Sequence, residues 1–365
     1  GGGRGGRGRG GGAASAAAGA VTFSIQAKRD TFPEVLHLLT QVLREPALPA
    51  QEFEIARRER LTMLEQMRTE PAALGPRLLQ RELSPYPKDD VRYQPTIEES
   101  IDRIKAVTYE QVVQLYREYL GSQAGELTIL GDFDEKLCLS VLKGTLDGWT
   151  ASKAYARIAM PIQQDVAGAQ HKINTPDKAN ATYTAGLMFP VRDDDPDFPA
   201  LVIGNYILGS GTLSSRLGDR IRQKEGLTYG VSSSLSASSF DKRGTLTIIA
   251  ICNPQNIGRV DTAVHQELER LLRDGVTQDE LDKARQGYLG AQKVARSSDV
   301  ALTGLLANLR YSGRTMAYEA GMEKRIQSLT PEQVVTVLRA HIDLKKLVVV
   351  SAGDFEAKTT AKASE

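Results

Sequence analysis

The sequence predicts an α+β protein built from two similar units, each an antiparallel sheet with helices packed on one face. The main observation is an internal repeat. The stretch RIKAVTYEQVVQLYREYL from Arg103 aligns without a gap with RIQSLTPEQVVTVLRAHI from Arg325. The same offset of 222 residues carries Gly131-Asp-Phe onto Gly353-Asp-Phe. Self-similarity of this length indicates that the chain holds two copies of one structural unit.

The first predicted unit, residues 21–134, follows a Gly-rich tail at residues 1–20 that is expected to be disordered. Period-two alternation predicts strands over VTFSIQAKR (21–29) and ELTILGDFD (126–134). Helical spacing predicts the elements between these strands, at 32–44, 50–68 and 74–83 and after the capping-box sequence Thr108-Tyr-Glu-Gln111.

The second predicted unit, residues 176–356, follows a linker at 135–175 and precedes a short tail at 357–365. The linker is inferred from its short helix and its polar stretch. The unit itself is predicted to hold a strand at 180–190, a helix at 199–208 that Gly209 and Gly211 break, a strand at 245–251, and helices at 254–273 and 277–295.

The two copies are unequal in length. Copy two has residues 175–244 ahead of its TLTIIAI strand, whereas copy one begins at the equivalent strand. The first unit is therefore expected to be truncated. Because a truncated sheet exposes unpaired edges, its missing part is expected from a partner or from a longer native chain.

Composition limits the classes of function. Lys+Arg 46 against Asp+Glu 45 predicts no general attraction to nucleic acid or to an acidic membrane. No apolar run approaches the length of a membrane span. The Gly-Arg tail leaves an RNA-associated role as an alternative, although no aromatic residue accompanies its arginines. Cys138 and Cys252 are too few for a disulfide framework and are expected to be buried thiols.

The most informative stretch is 214–239, where a helical pattern changes into a strand pattern. Gly226 is expected to end the helix, and from Leu227 the apolar spacing becomes two. Arg222 and Tyr229 flank this junction, so a guanidinium and a phenol could converge on one backbone-sized target. The helix is marked by apolar residues at every fourth position: Leu213, Leu217 and Ile221.

The string SRLGDRIRQKEGLTYGVSS resembles the substrate-binding signature of the pitrilysin/insulinase zinc peptidases and the mitochondrial processing peptidases. The resemblance implies the processing-peptidase-like metallohydrolase fold. Arg222 and Tyr229 fall on the family's arginine-tyrosine pair, which lies in the second, non-zinc half and helps to hold the substrate backbone at the scissile bond. The departures are small: Ile221 for Leu, Gln223 for Glu and Thr228 for Ala.

The family's His-x-x-Glu-His zinc motif is absent from this sequence. His265 and Glu269 have helical i, i+4 spacing but no third ligand nearby. Glu65 occupies a place that resembles the family's downstream glutamate ligand, with an exposed carboxylate on a charged helix as the alternative. No metal site or cofactor is therefore predicted in this chain, and zinc is expected in a complementary catalytic half. The four histidines are scattered: His37, His171, His265 and His341.

The resemblance implies the substrate-binding, non-catalytic half or subunit of a pitrilysin-like zinc metalloendopeptidase that acts on peptides or unfolded protein segments. Its expected partners are a catalytic half or subunit and a peptide substrate. A catalytically inert scaffold or peptide-binding subunit of the same fold is the alternative. The resemblance also suggests the bacterial periplasm or cell envelope, although the sequence itself leaves the compartment open.

Overall fold

The computed structural model describes residues 21–163, 166–211 and 214–356. The predicted tails and Leu213 lie outside these residues. The described residues form twelve α-helices: α1 (Phe32–Arg44), α2 (Ala50–Met67), α3 (Pro71–Leu83), α4 (Ile97–Ala106), α5 (Tyr109–Tyr119), α6 (Glu135–Leu146), α7 (Phe198–Asn205), α8 (Ile257–Asp274), α9 (Gln278–Arg296), α10 (Asp299–Tyr311), α11 (Met316–Ser328) and α12 (Pro331–His341). The five strands are β1 (Ala169–Asn174), β2 (Ala181–Phe189), β3 (Thr228–Ala237), β4 (Gly244–Cys252) and β5 (Val348–Gly353).

All five strands lie in one mixed sheet with the order β1-β5-β2-β4-β3. β2 pairs antiparallel with β4 and β5, and β4 pairs antiparallel with β3. β1 runs parallel to β5, which departs from the purely antiparallel sheet that the sequence predicts. No short hairpin joins these two strands, so no tight turn imposes an antiparallel pairing on them.

Helices cover both faces of the central strand β2. Tyr183, Ala185 and Leu187 belong to the main core, which also contains buried residues of α7, α8, α9, α11 and α12. On the other face, α3 packs against β2 and β5 and forms a smaller cluster with buried valines of β5. Full burial of a leucine or valine side chain stabilises the fold by about 1.5–3 kcal/mol. None of the described helices has both the length and the apolar composition that a membrane span needs.

The chain divides into two compact units that are each assembled from separate stretches. One unit contains 21–62, 101–158 and 293–316, and the other contains 63–100, 159–292 and 317–356, as far as the structure describes them. The sheet belongs to the second of these. The segment predicted as a linker is structured at both ends, since α6 packs on α1 and β1 is a strand of the sheet.

The first of these units contains helices and irregular segments but no strand among its described residues. Its small core joins α1 and α6 through Leu36, Cys138 and Leu142. The prediction of strands at 21–29 and 126–134 is wrong. Neither stretch forms a strand, and Phe23 is 46% exposed. Period-two spacing reports only how side chains alternate, whereas a strand also needs a neighbour for its backbone N–H and C=O groups. No neighbouring strand is present in the described part of this unit.

The helix predicted to break at Gly209 and Gly211 continues through Gly209 and ends at Ser210, immediately before Gly211. α7 ends at Asn205, and a π-helical turn follows over Tyr206–Ser210. A Cβ on Gly209 would lie 2.5 Å from Ser233 Oγ and 2.7 Å from Ser233 N. Glycine at this position therefore lets the turn approach β3 closely and does not end the helix. The remaining predicted helices occur within a few residues of their predicted bounds, whereas α10 and α11 were not predicted.

Candidate functional site

The candidate site is the junction between a π-helical turn, Gly218–Lys224, and β3. Gly226 ends the helix as predicted, with a φ of 61° that favours glycine. The backbone N–H of Leu227 donates to the carbonyl oxygen of Ile221 at 2.9 Å and closes the turn. Ile221 and Leu227 are buried, at 0% and 2% exposure. The junction is thus anchored in the core on one side and leaves Arg222 exposed on the other.

A β-bulge follows immediately at the start of β3. Thr228 lies opposite Cys252 and Gly230 lies opposite Ile251, so Tyr229 is the extra residue on the bulged strand. Bulges commonly redirect a side chain at the edge of a sheet, and β3 is an edge strand. The Tyr229 side chain is accordingly 67% exposed.

Arg222 and Tyr229, the two predicted site residues, therefore flank one short junction with their polar groups uncommitted. Neither side chain has a hydrogen bond or ion pair among the residues that the structure describes. A guanidinium offers several N–H donors and a phenol offers one O–H donor. Both groups are thus available to carbonyl oxygens of a bound chain.

The sheet surface beside the bulge was not anticipated from the sequence. Leu246, Ile248 and Ala250 of β4 face the main core, so the alternate residues Ile249 and Ile251 face the opposite side. They are 37% and 40% exposed. The sequence TLTIIAI contained a signal for this surface. The residues that alternate with the core-facing ones change from threonine to isoleucine along the strand.

A cluster of ion pairs lies behind the junction and was also missed from the sequence. Arg216 donates from Nε and Nη2 to the two carboxylate oxygens of Glu280 at 2.7 and 2.8 Å. Burial alone would raise the pKa of Glu280, but the bonds from Arg216 and Thr277 outweigh burial and hold the pKa below its ordinary value. Arg220 bonds Glu225 and Glu267. The two arginines and the three glutamates of this cluster line a cleft of about 660 Å³.

The other candidate residues lie apart from the junction in sequence and take part in separate contacts. Glu65 is half exposed and accepts a hydrogen bond from Arg68 at 3.0 Å. His265 pairs with Asp261 rather than with Glu269, its Nδ1 lying 3.1 Å from Asp261 Oδ1. Within the described ranges, no group of three His, Cys, Asp or Glu side chains is placed to hold a metal ion.

Both cysteines are buried thiols, as the sequence predicts. Cys138 is 3% exposed and Cys252 is 0% exposed. Burial raises the pKa of the Cys252 thiol to about 11. Because the thiolate is the reactive form, burial and the raised pKa both disfavour nucleophilic chemistry at Cys252.

Comparison with known proteins identifies the family. The sequence profile described as "Peptidase M16 inactive domain" matches residues 106–288, which is half of the chain. The chain belongs to this family. The resemblance to the non-zinc half of these peptidases is therefore confirmed.

Relatives of this M16 inactive domain agree with the assignment. It is 24% identical over 251 residues to the non-peptidase homolog YmxG of Helicobacter pylori, covering 68% of this chain and 56% of the relative. It is 25% identical over 247 residues to an uncharacterized zinc protease of Streptomyces coelicolor, covering 66% of this chain and 52% of the relative. The chain thus spans about half the length of these relatives.

A solved structure shares the fold. The crystal structure of the peptidase M16 inactive domain from Pseudomonas fluorescens superposes with a TM-score of 0.75 at 25% identity, covering 89% of this chain and 75% of that one. The mixed α/β architecture of one five-stranded sheet and packed helices is therefore that of an M16 inactive domain.

Proposed function

We propose that this M16 inactive domain is the substrate-binding, non-catalytic half or subunit of a zinc metalloendopeptidase that acts on peptides or unfolded segments. The observation that carries the proposal is the junction at which Arg222 and Tyr229 are exposed and have no hydrogen-bond or ion-pair partner within the described part of the chain. The donors of an exposed guanidinium and an exposed phenol are available to the carbonyl groups of a peptide.

The chemistry of the pair suits the backbone of an extended peptide. The planar guanidinium of Arg222 can donate two parallel hydrogen bonds, and the phenol of Tyr229 can donate one to a carbonyl oxygen. Donors that are held in place before the reaction stabilise negative charge that develops on a carbonyl oxygen, particularly where water is excluded. Both residues would then bind the ground state and support the transition state.

Zinc and the general base are assigned, in this proposal, to a complementary catalytic half. The described residues do not fit a zinc site, because Glu65 is one carboxylate paired with Arg68 and a zinc site needs at least three protein ligands. No step of the chemistry is therefore assigned to metal held by this chain.

We further propose that the chain contains two copies of one unit, within 21–134 and 176–356. The repeated helices α5 and α12 begin with the same capping box, 222 positions apart. The Thr108 N–H donates to Gln111 Oε1 at 2.9 Å, and the Thr330 N–H donates to Gln333 Oε1 at 2.8 Å. Duplication explains why the two starts match in both sequence and geometry.

The first experiment measures peptide binding by the isolated chain. The probe is a fluorescein-labelled, unstructured peptide of about 20 residues, and anisotropy reports its dissociation constant. Arg222→Ala and Tyr229→Phe should each weaken binding, while Arg58→Ala and Tyr119→Phe serve as controls because both residues are exposed on other helices. Equal peptide affinities for the wild type and all four variants would contradict the proposal.

A second candidate is an inert scaffold or peptide-binding subunit of the same fold, favoured by the name of the Helicobacter pylori relative, a non-peptidase homolog. The discriminating experiment mixes this chain with a zinc-bearing M16 half from the same genome. Cleavage that requires both chains supports the peptidase half. Peptide binding without any cleavage by the assembled pair supports the scaffold.

A further inference from the structure

Arg220 is bonded to three side chains at once. Its Nε donates to Glu225 Oε1 at 2.8 Å, its Nη1 to Glu267 Oε1 at 3.2 Å, and its Nη2 to Gln266 Oε1 at 2.5 Å. Glu225 belongs to the junction, whereas Gln266 and Glu267 belong to α8. The guanidinium therefore ties the π-helical turn to a separate helix of the same compact unit.

The attachment on α8 is a buried charge. Glu267 is 2% exposed, and its only other ion-pair partner in the described part of the chain is Arg270 at 3.3 Å. Its second oxygen, Oε2, has no hydrogen-bond partner there. A buried carboxylate that loses a partner is strongly unfavourable, so Glu267 constrains the position of Arg220 tightly.

α8 itself is fixed in the main core. Val260, Val264 and Leu268 on this helix are 0%, 0% and 1% exposed. A helix anchored in this way moves little relative to the sheet, because close-packed interiors resist displacement. Through its bond to Glu267, Arg220 therefore attaches the π-helical turn to a rigid part of the unit.

Arg220 and its partner Glu225 each lie a few residues from one of the two candidate donors. It lies two residues before Arg222 on the same wide turn, and Glu225 lies four residues before Tyr229. The Glu225 backbone N–H also donates to the Arg220 carbonyl oxygen at 3.0 Å, a π-type bond over five residues. Glu225 is thus bound to Arg220 through both its backbone and its side chain.

We propose that Arg220 is a positioning residue that holds Arg222 and Tyr229 in the geometry required for peptide binding. The inference rests on the proposed function of that pair. π-helical turns are rare and commonly accompany functional sites, which is consistent with a turn that needs support from outside. Without Arg220 the junction would have to be ordered at the moment of binding, and that ordering would reduce affinity.

The cleft around this network is better explained as a support than as a ligand site. Its lining carries five cationic and five anionic side chains, so it presents no net charge to a ligand. The two polar atoms left without partners there, Arg216 Nη1 and Glu267 Oε2, each expose less than 1 Å² and cannot reach a molecule in the cleft.

The test is a double-mutant cycle with the labelled peptide. Arg220→Met should weaken binding roughly 3–10-fold in the wild-type background and should have no further effect in the Arg222→Ala/Tyr229→Phe protein, because it acts through these two side chains. Arg285→Met is the matched control. Arg285 is similarly buried, 22% exposed against 26% for Arg220, and bonds the carbonyl oxygens of Ile326 and Leu329. It should lower thermal stability and leave peptide affinity unchanged.

A spectroscopic readout separates positioning from general destabilisation. In protein labelled with 3-fluorotyrosine, the fluorine resonance of Tyr229, assigned with Tyr229→Phe, should shift in Arg220→Met and stay in place in Arg285→Met. Arg220→Lys should restore part of the affinity, since an ammonium can reach only some of the three partners. Glu267→Gln, which keeps the acceptor and removes the charge, provides a milder variant if Arg220→Met does not fold.

The outcomes distinguish the two proposals. If Arg222→Ala and Tyr229→Phe bind the peptide normally, the proposed function fails, and the fluorine resonance still decides whether Arg220 positions the junction. If those two variants weaken binding but Arg220→Met and Glu267→Gln neither weaken it nor shift the resonance, the positioning role is wrong and the proposed function stands. If Arg220→Met weakened binding by the same factor with and without the donor substitutions, it would act independently of the donors, and the positioning role would also be wrong.

Discussion

The hydroxyl oxygen of Thr228 accepts a hydrogen bond from the backbone N–H of Gly230 at 3.1 Å, across the single residue that the bulge inserts. The same hydroxyl lies 2.8 Å from the carbonyl oxygen of Gly230 and 2.5 Å from that of Ile251, to either of which it can donate its proton. One buried side chain thus closes the bulge and joins it to β4. Tyr229 is turned outward because its two neighbours are held in this way.

Thr228→Val should destabilise the domain by about 1–3 kcal/mol, because valine keeps the shape of threonine and leaves buried backbone groups without their partner. Urea denaturation measures the change in the free energy of unfolding. Thr228→Ser keeps the hydroxyl and is the control, which should lose less. Equal stability of the valine variant and the wild type would show that water replaces the hydroxyl at no cost.

Tyr229→Phe and Arg222→Lys should each lower kcat/KM in a complex with a catalytic half, while zinc content and folding stay unchanged. The phenylalanine variant removes one oxygen and keeps the ring. Loss of a single oxyanion donor typically reduces the rate by about 10²–10³. Lysine cannot reproduce the two parallel bonds of a guanidinium. Wild-type rates for both variants would make the pair structural and favour the scaffold function.

Gly209→Ala should destabilise the domain by about 1–3 kcal/mol, since the added Cβ meets Ser233 atoms that belong to β3 and cannot rotate away freely. Gly290→Ala is the matched control, because this helical glycine of α9 has nothing within 4 Å of an added Cβ. The control should gain about 0.5–1 kcal/mol. Thermal or urea unfolding of both variants decides the comparison, and a stable Gly209→Ala protein would contradict the close approach.

His265 should make the domain more stable at mildly acidic pH than at alkaline pH. Its hydrogen bond to Asp261 is the main cause that raises the pKa of the imidazole above its ordinary value. A raised pKa in the folded state gives stabilisation that is complete below the unfolded-state pKa of about 6.5 and is lost as the pH rises through the folded-state value.

Unfolding free energies at pH 5.5 and pH 8.5 test this dependence. The difference between the two pH values should shrink in His265→Gln, which removes the titrating group. His37→Gln is the control, since His37 lies on α1 in the other compact unit. An unchanged pH dependence in His265→Gln would show that the histidine contributes nothing to it.

The isolated chain should bind no stoichiometric zinc. At most one of its side chains, Glu65, corresponds to a ligand position of the family, and three protein ligands are the usual minimum. Metal analysis of tag-free protein after dialysis checks this. About one zinc per chain, retained by the Glu65→Gln variant as well, would reveal a site outside the resemblance.

The sequence by itself determined most helices and the family. Helical hydrogen bonds and capping boxes join residues three or four apart, so spacing and a motif such as Thr277 to Glu280 are sufficient to locate them. The family signature around Arg222 and Tyr229 is also a local feature, because it lies in one continuous stretch of sequence. These features could be predicted because every interaction that defines them is local.

Only the tertiary structure decided which extended segments form strands and what supports the site. The strand pattern at 21–29 is as clear as that of β4, yet this stretch forms no strand in the described residues. Strand pairing depends on a neighbouring strand, and the spacing within one segment does not specify that neighbour. The bulge at Tyr229 arises from the register between β3 and β4. The bond between Arg220 and Glu267 joins residues 47 positions apart. Such contacts follow from packing in three dimensions, which residue spacing alone does not encode.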